Sequence, residues 1–348
     1  MKTLSFLFSI VFITLSLDSC QEAPKEETLP KIDISAFLGQ WTIDIENGSV
    51  GWLEVREENN YLDGSLLWAS GSVLPVSNVF LAADRYLVVQ RSGEIIRKKA
   101  ENNNPAVTGV ITNWLEIKAK DDKIEGVLLT PRRNGMGVDS MSFKGTKLPP
   151  VPPAPDLGNL KFGKPVTLFN GKDLTGWKLI NEKLTNGFKV IDGVLVNDPT
   201  PPEGAARVRF GNLRTEQEFE DFNLKLEVNV PEGSNSGVYL RGMYEIQVMD
   251  SYKKELDSHN MGALYSRITP STGAENPAGT WQTMDITLCN RHVTVILNGT
   301  TIIDNQPVYG PTGGAMKSDV FASGPIYLQG DHGKVSYRNM VLTPIINK

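Results

Sequence analysis

Along most of this chain apolar and polar positions alternate with a period of two, the signature of half-buried strands. Trp41, Ile43 and Ile45 interleave with Thr42 and Asp44, and strand-like runs follow at 52–56, 62–68, 85–90, 107–119, 124–129 and 140–144. Their connectors are turn formers such as Asn59-Asn60 and Asp121-Asp122. Further on, Phe222, Leu224, Leu226, Val228 and Val230 alternate with polar residues, which predicts a long strand with one buried face. Asp192-Gly193 and Asn298-Gly299 each separate two apolar runs and fit the positive-φ positions of a type I′ hairpin turn. Trp281 to Leu288 reads as the strand before the second hairpin. No long window carries a helical period. The expected fold is all-β: a sandwich in the second half, preceded by a small barrel, lipocalin-like, or a curved sandwich.

The punctuation of the pattern divides the chain. Between Pro149 and Pro155 five of seven residues are proline, a composition that favours extended polyproline geometry and a semi-rigid spacer. The expected parts are 1–19 as a secretory signal, 20–31 as a tether, 32–148 as an accessory β module, 149–165 as linker and 166–346 as the second module. The signal rests on Lys2 followed by the apolar run Leu4 to Leu17. Fourteen residues rise ~21 Å as a helix, short of a ~30 Å hydrocarbon core. Leu17-Asp18-Ser19-Cys20 resembles a bacterial lipobox, with Asp18 a departure from the usual uncharged residue, so Cys20 is the expected lipidation site. The polar stretch that follows carries Glu22, Glu26 and Glu27 and resembles the surface-export signal of Bacteroidetes lipoproteins. The expected location is the cell envelope, lipid-anchored at the outer membrane and facing the periplasm or the cell surface.

Composition then narrows the function. A chain of 348 residues with 40% hydrophobic and 22% charged residues is an ordinary globular protein, which excludes disorder and coiled coil. A net charge of −5 with no basic run argues against a nucleic-acid partner. Two cysteines exclude a disulfide framework, and with three histidines (His259, His292, His332) they exclude a Cys/His zinc site. Cys289 sits in a strand pattern and is expected to be an inert core or edge thiol; His259 and His292 are expected at the surface or in the core. Trp41, Trp52, Trp68 and Trp114 of the first module read as core rather than as a sugar platform.

The second module carries six motifs in order. They are Leu-Phe-Asn-Gly-Lys-Asp-Leu-Thr-Gly-Trp (168–177), Asn-Ser-Gly-Val-Tyr-Leu-Arg-Gly (235–242), Tyr-Glu-Ile-Gln-Val-Met-Asp (244–250), Gly-Ala-Leu-Tyr (262–265), Pro-Ala-Gly-Thr-Trp (277–281) and Gly-Pro-Ile-Tyr-Leu-Gln-Gly-Asp-His-Gly (324–333). In this order they resemble the 3-keto-disaccharide hydrolase domain family. The resemblance implies a concanavalin-A-like jelly roll and cleavage of glycosides already oxidised to a ketone at C3.

In the third motif, period two puts Glu245 and Gln247 on one face and Ile246 and Val248 on the other. Asp250 joins the first face only through a bulge. The spacing is similar to the Glu-x-Asp-x-x-Glu of laminarinase-type glucanases, with Gln247 in place of the middle carboxylate and Asp250 in place of the last. A 3-keto substrate asks for less: one base to take the acidified C2 proton, one acid for the leaving oxygen, and donors for the enolate. Glu245, Asp250 and His332 are the candidate acid–base groups. Tyr239, Arg241, Gln247, Tyr265, Trp281, Gln329 and Asp331 are the candidate substrate contacts. Arg241 and Tyr239 share the parity of Glu245 only if no turn intervenes at Gly242-Met243. The segment from Ser251 to Thr280, rich in Gly, Pro, Ser and Asn, reads as a lid or site wall. No cofactor is demanded, although Glu245, Asp250, Asp331 and His332 offer ligands to a divalent metal that would stabilise an enolate. The expected partners are a carbohydrate substrate, the membrane through the anchor, and a sugar 3-oxidoreductase acting upstream. Two other readings stand beside elimination: a lectin-like binding protein without chemistry, and a direct glycoside hydrolase of laminarinase type.

Overall fold

The computed structural model describes residues 33–82, 86–101, 104–201, 203–204 and 208–347. The expected signal segment 1–19, the lipidation residue Cys20 and the tether 20–31 lie outside the described residues. All regular structure among the described residues is strand, apart from a single 3-10 turn at Leu157–Asn159.

Nine strands build the first module: β1 (Gly39–Ile45), β2 (Val50–Glu58), β3 (Tyr61–Leu67), β4 (Leu74–Pro75), β5 (Asn78–Leu81), β6 (Leu87–Lys98), β7 (Val107–Lys120), β8 (Lys123–Pro131) and β9 (Val138–Lys147). They form one antiparallel sheet in the order β4-β3-β2-β1-β9-β8-β7-β6-β5. The two ends meet, because the residues joining β4 to β5 bond to both of them: the Val76 N–H donates to the Gly64 carbonyl on β3 at 3.1 Å and the Ser77 N–H to the Gln90 carbonyl on β6 at 2.7 Å. The sheet therefore curls into a barrel rather than splitting into a sandwich. The alternation read from the sequence fills it: Trp41, Ile43, Leu53, Val55, Leu115 and Ile117 point inward and are at most 1% exposed. Asn59-Asn60 both have positive φ, as their turn requires.

The second module continues with β10 (Lys161–Phe162), β11 (Val166–Thr167), β12 (Trp177–Leu179), β13 (Phe188–Ile191), β14 (Val194–Asn197), β15 (Leu213–Thr215) and β16 (Phe222–Asn229). It closes with β17 (Asn235–Leu240), β18 (Tyr244–Met249), β19 (Trp281–Cys289), β20 (His292–Leu297), β21 (Thr300–Pro307), β22 (Tyr327–Leu328) and β23 (Val335–Asn347). One sheet runs β13-β14-β23-β16-β19-β20-β21, with β10 and β11 also on β23; the other runs β12-β15-β22-β17-β18. A single apolar core fills the space between them and takes in Phe222, Leu224, Leu226 and Val228 from β16 and Val238, Ile246 and Val248 from β17 and β18. This is the jelly-roll sandwich. Both predicted type I′ turns form, with φ of 50° and 79° at Asp192-Gly193 and 50° and 81° at Asn298-Gly299. Cys289 is buried, as is His292 on β20.

From Ile34 onward the two modules make one compact unit. Trp52 of the barrel is buried against Leu67, Leu148 and Val320. Its indole N–H donates to the Tyr309 carbonyl at 3.0 Å, and the Arg267 guanidinium lies 4.4 Å over its ring. The proline segment packs along the sandwich: Arg291 donates to the Pro149 carbonyl and Asn305 to the Pro155 carbonyl.

Candidate functional site

The site sits on the outer face of the five-stranded sheet, and the β17–β18 hairpin explains why. In its register Tyr239 lies opposite Glu245 and Gly237 opposite Gln247, while Val238 pairs Ile246. Odd-numbered residues of both strands therefore share the outer face, and the even-numbered ones enter the core. The hairpin is regular, without the bulge that would bring Asp250 round. A carboxylate thus ends up on a sheet face that the strand keeps largely buried: Glu245 is only 3% exposed.

A pocket of about 230 Å³ covers this face, lined by Asn212, Asn235, Tyr239, Glu245, Gln247, Tyr265, Tyr327, Gln329, Asp331 and His332, with backbone from Gly313 and Gly314 and with Ser70 and Gly71 of the barrel. Glu245 lies directly over Gly237, where a β-carbon would collide with its carboxylate. The backbone N–H of Glu245 donates to Thr312 Oγ1 at 2.9 Å, and Thr312 in turn donates to the Met243 carbonyl at 3.1 Å. This fixes the strand against the 310–316 loop.

Burial pushes the Glu245 carboxyl up to about 7, against the hydrogen bond from Tyr239, which favours the ionised form. The phenol has two acceptors: Tyr239 Oη is 2.7 Å from Glu245 Oε2 and 2.7 Å from the Gly313 carbonyl oxygen, while Gln329 Nε2 donates to it at 3.2 Å. One phenolic proton serves one acceptor at a time. With Glu245 ionised, Tyr239 donates to it. With Glu245 protonated, the carboxyl O–H donates to Tyr239, and the phenol turns its own proton to Gly313. The hydroxyl has a partner in both states of the acid, so Glu245 can gain and lose a proton without leaving a buried donor stranded. Tyr239 is itself held by the Tyr327 ring, stacked 3.8 Å away, and Tyr327 donates to the Gly314 carbonyl at 2.9 Å.

The second acid–base pole is more exposed. His332 Nδ1 is 2.8 Å from Asp331 Oδ1, and that carboxylate raises the imidazole while the imidazole lowers Asp331. The loop carrying the pair is pinned from four sides. Gln329 N–H donates to the Gly237 carbonyl, Ser236 donates to the Gln329 carbonyl, Gly330 N–H donates to Asn212 Oδ1, and Asn197 donates to the carbonyls of Gly330 and Gly333. The flanking glycines are steric necessities, since a β-carbon at Gly330 would strike the Gly211 carbonyl and one at Gly333 would strike Ser234.

Three amide oxygens in the pocket, Asn235 Oδ1, Gln247 Oε1 and Gln329 Oε1, have no hydrogen-bond partner in the protein. A buried acceptor left unpaired costs about 1–3 kcal/mol. All three have almost no accessible surface, so a ligand hydroxyl reaches them only when the amide side chain turns.

The structure thus brings together Glu245, His332, Tyr239, Gln247, Tyr265, Gln329 and Asp331. It does not bring in Arg241, Asp250 or Trp281. Arg241 falls in the hairpin turn with φ 55°, where the parity of the strand no longer applies; its side chain is buried and donates to the carbonyls of Val320 and Ala322. Asp250 lies past the end of β18 and accepts from the Gly233 N–H at 3.0 Å. Trp281 belongs to β19 in the other sheet and stacks under Arg338 at 3.9 Å. With Asp250 outside the pocket, the four candidate metal ligands do not converge, and the described residues hold no cluster of three or more ligating side chains. The 251–280 segment is a fixed wall rather than a lid: Gly262, Ala263 and Tyr265 exchange backbone hydrogen bonds with Glu245 and Gln247 along the edge of β18. Asn212 joined the site without a sequence signal, whereas Asn235 and Tyr327 lie inside the 235–242 and 324–333 motifs, where strand parity alone did not single them out. The contribution of Ser70 and Gly71 was equally invisible in a barrel with no catalytic pattern of its own.

A structure of a Parabacteroides distasonis protein assigned by name to the glycosyl hydrolases is 28% identical, with 57% of this chain and 94% of that one covered at a TM-score of 0.43. A second from the same organism is 24% identical, covers 51% and 92%, and has a TM-score of 0.41. SCLam, a non-specific endo-β-1,3(4)-glucanase of family GH16, is 12% identical, covers 56% and 92%, and has a TM-score of 0.34. No curated protein matches. The family model described as the 3-keto-α-glucoside-1,2-lyase-like domain matches residues 164–343, just over half of the chain and all of the sandwich strands that build the pocket. The chain belongs to the 3-keto-α-glucoside-1,2-lyase-like family.

Proposed function

We propose that this protein cleaves glycosides whose sugar ring carries a ketone at C3, by elimination across C1–C2 followed by addition of water. The observation that carries the reading is a single buried carboxyl held near pKa 7, with a phenol that accommodates both of its protonation states, in a pocket lined by amide and hydroxyl side chains.

The ketone makes the C2 hydrogen acidic. The Glu245 carboxylate takes that proton, and the C–H electron pair forms an enolate with its charge on the C3 oxygen. The enolate collapses to C3=O; C1=C2 forms, the C1–O bond breaks, and the electron pair leaves with the glycosidic oxygen. The His332 imidazolium, paired with Asp331, gives that oxygen its proton. Water then adds across C1=C2, hydroxyl to C1 and hydrogen to C2, so the net change is hydrolysis. Glu245, on the floor, suits the retained ring; His332, at the rim, suits the group that departs to solvent. A general base tuned to about 7 sits where such catalysts work best at neutral pH. The Gln247 amide N–H, held only by the Met249 thioether at 3.6 Å, is a donor for the enolate oxygen.

Direct double displacement would need a second carboxylate ~5–5.5 Å away. On the strand, that role would fall to position 247, which is glutamine, or to Asp250, which is turned aside. The substrate must be supplied by a sugar 3-oxidoreductase, and we place the reaction at the cell envelope, anchored through Cys20.

The test is incubation of the purified protein and its Glu245→Gln variant with a 3-keto-α-glucoside. The expected result is turnover by the wild type and a loss of ~10²–10⁴-fold in the variant, with no cleavage of the unoxidised glucoside. Sugar binding without turnover by the wild type supports a lectin-like role instead; cleavage of the unoxidised glucoside supports direct hydrolysis.

A further inference from the structure

The family domain begins at residue 164, yet the pocket over Glu245 is closed by residues from the barrel, more than ninety positions earlier. We propose that the barrel turn Ser70–Val73 is a wall of the saccharide site that restricts it to the end of a short glycoside, one ring enclosed and a small leaving group at the rim. The inference rests on the sugar reading of the preceding section and specifies its substrate class.

Three observations support a built wall rather than a chance contact. First, Ser70 and Gly71 line the same cavity as Glu245, Tyr265 and His332, and both are exposed to it. Second, the turn is fastened to the site on both sides. The Gly314 N–H donates to the Ala69 carbonyl at 3.1 Å, beside the carbonyls that receive Tyr239 and Tyr327. On the other side Ser72 Oγ is 2.9 Å from His259 Nε2 and donates to Tyr265 Oη at 3.5 Å, and the Val73 N–H donates to Ser266 Oγ at 2.9 Å. Gly313 lets the two backbones meet, since a β-carbon there would run into the backbone of Gly71. Third, the turn bends through unfavourable conformations to reach the site: Ala69 has φ 63°. A non-glycine residue in that region persists only where its surroundings hold it, and such residues gather at ligand sites.

The enclosed volume sets the size. About 230 Å³ is less than the ~300–1,000 Å³ typical of clefts that bury drug-sized ligands. Ser70 and Gly71 occupy one side of this face, so a sugar chain extended past that side would meet their backbone.

The experiment measures binding separately from turnover. In the Glu245→Gln background, affinity for a methyl 3-keto-glucoside and a 3-keto-disaccharide is measured by calorimetry, with and without Ser70→Trp. The expected result is at least a tenfold loss with Ser70→Trp at unchanged Tm, and at least tenfold weaker binding of an oligosaccharide ketonised at an internal ring. Should Ser70→Trp fold poorly, Ser70→Cys is compared before and after alkylation with a bulky maleimide, a change made on protein already folded. Equal affinity with and without the bulky group overturns the wall. Tight, Ser70-sensitive binding by a wild type that does not cleave supports the wall and overturns the elimination chemistry. Cleavage by a wild type whose Ser70→Trp form has the same kcat/KM does the reverse. Absence of binding to every ketonised sugar overturns both.

Discussion

Glu245 combines two properties that oppose each other, being buried at 3% exposure and, in the proposed elimination, needed in its charged form. Its pKa of about 7 in the folded protein stands against an ordinary glutamate value of 4.5. The folded state therefore binds more protons than the unfolded state between those values, and stability falls as pH rises from about 4.5 through 7. The cost of holding the carboxylate at pH 8 is roughly 3 kcal/mol. Glu245→Gln removes that cost together with the base, so its Tm should exceed that of the wild type at pH 8 and match it near pH 4.5. Thermal unfolding at the two pH values checks the sign, and a variant less stable than wild type at pH 8 would contradict it. His332 lies on the other side of the balance: its hydrogen bond with the Asp331 carboxylate raises it and so favours the imidazolium.

At the scale of the element, the β17–β18 hairpin decides which residues meet. Strand parity in 244–250 already places Glu245 and Gln247 together, because period two is a property of the strand itself. Parity does not survive a turn, and the two residues beyond it fared differently. Tyr239 returns to the Glu245 face because the register pairs them directly, whereas Arg241 sits in the turn and swings away to the 320–322 carbonyls. Neither outcome can be read from spacing alone, since it depends on whether the turn spans two residues or three. Gly237 shows the same element's steric side. Gly237→Ala leaves an ordinary strand conformation, so Tm should move by only a few degrees, but the new methyl occupies the space of the Glu245 carboxylate. We expect kcat/KM to fall at least tenfold with a stable fold, since small misplacements of catalytic groups are costly. Near-wild-type activity in that variant would mean that the carboxylate need not lie over residue 237.

At the scale of the whole molecule, the two modules were separable in the sequence, by the proline run at 149–155, but their contact was not. Contacts between distant segments leave no periodic trace, and Trp52 looks like any other inward-facing residue of a barrel strand. In the structure its ring is sandwiched between the modules, bonded to the Tyr309 carbonyl and covered by Arg267, which itself donates to the Pro311 carbonyl. The loop it supports leads straight to Thr312 and Gly313, which bond to Glu245 and Tyr239. A Trp→Ala change at a buried site costs ~3–5 kcal/mol. We expect Trp52→Ala to lower Tm, to split a single unfolding transition into two, and to raise KM through the loosened 310–316 loop. A lone transition with unchanged KM would show that the barrel is not coupled to the site.

The central claim is that Glu245 removes the C2 proton of a ketonised ring. Cleavage in D₂O, followed at early turnover by NMR, tests it directly. Elimination and hydration must deliver one deuteron to C2 of the sugar product, and a substrate deuterated at C2 must react more slowly with the wild type. Product that keeps its original hydrogen at C2, with no isotope effect, would contradict the account and leave direct displacement at C1.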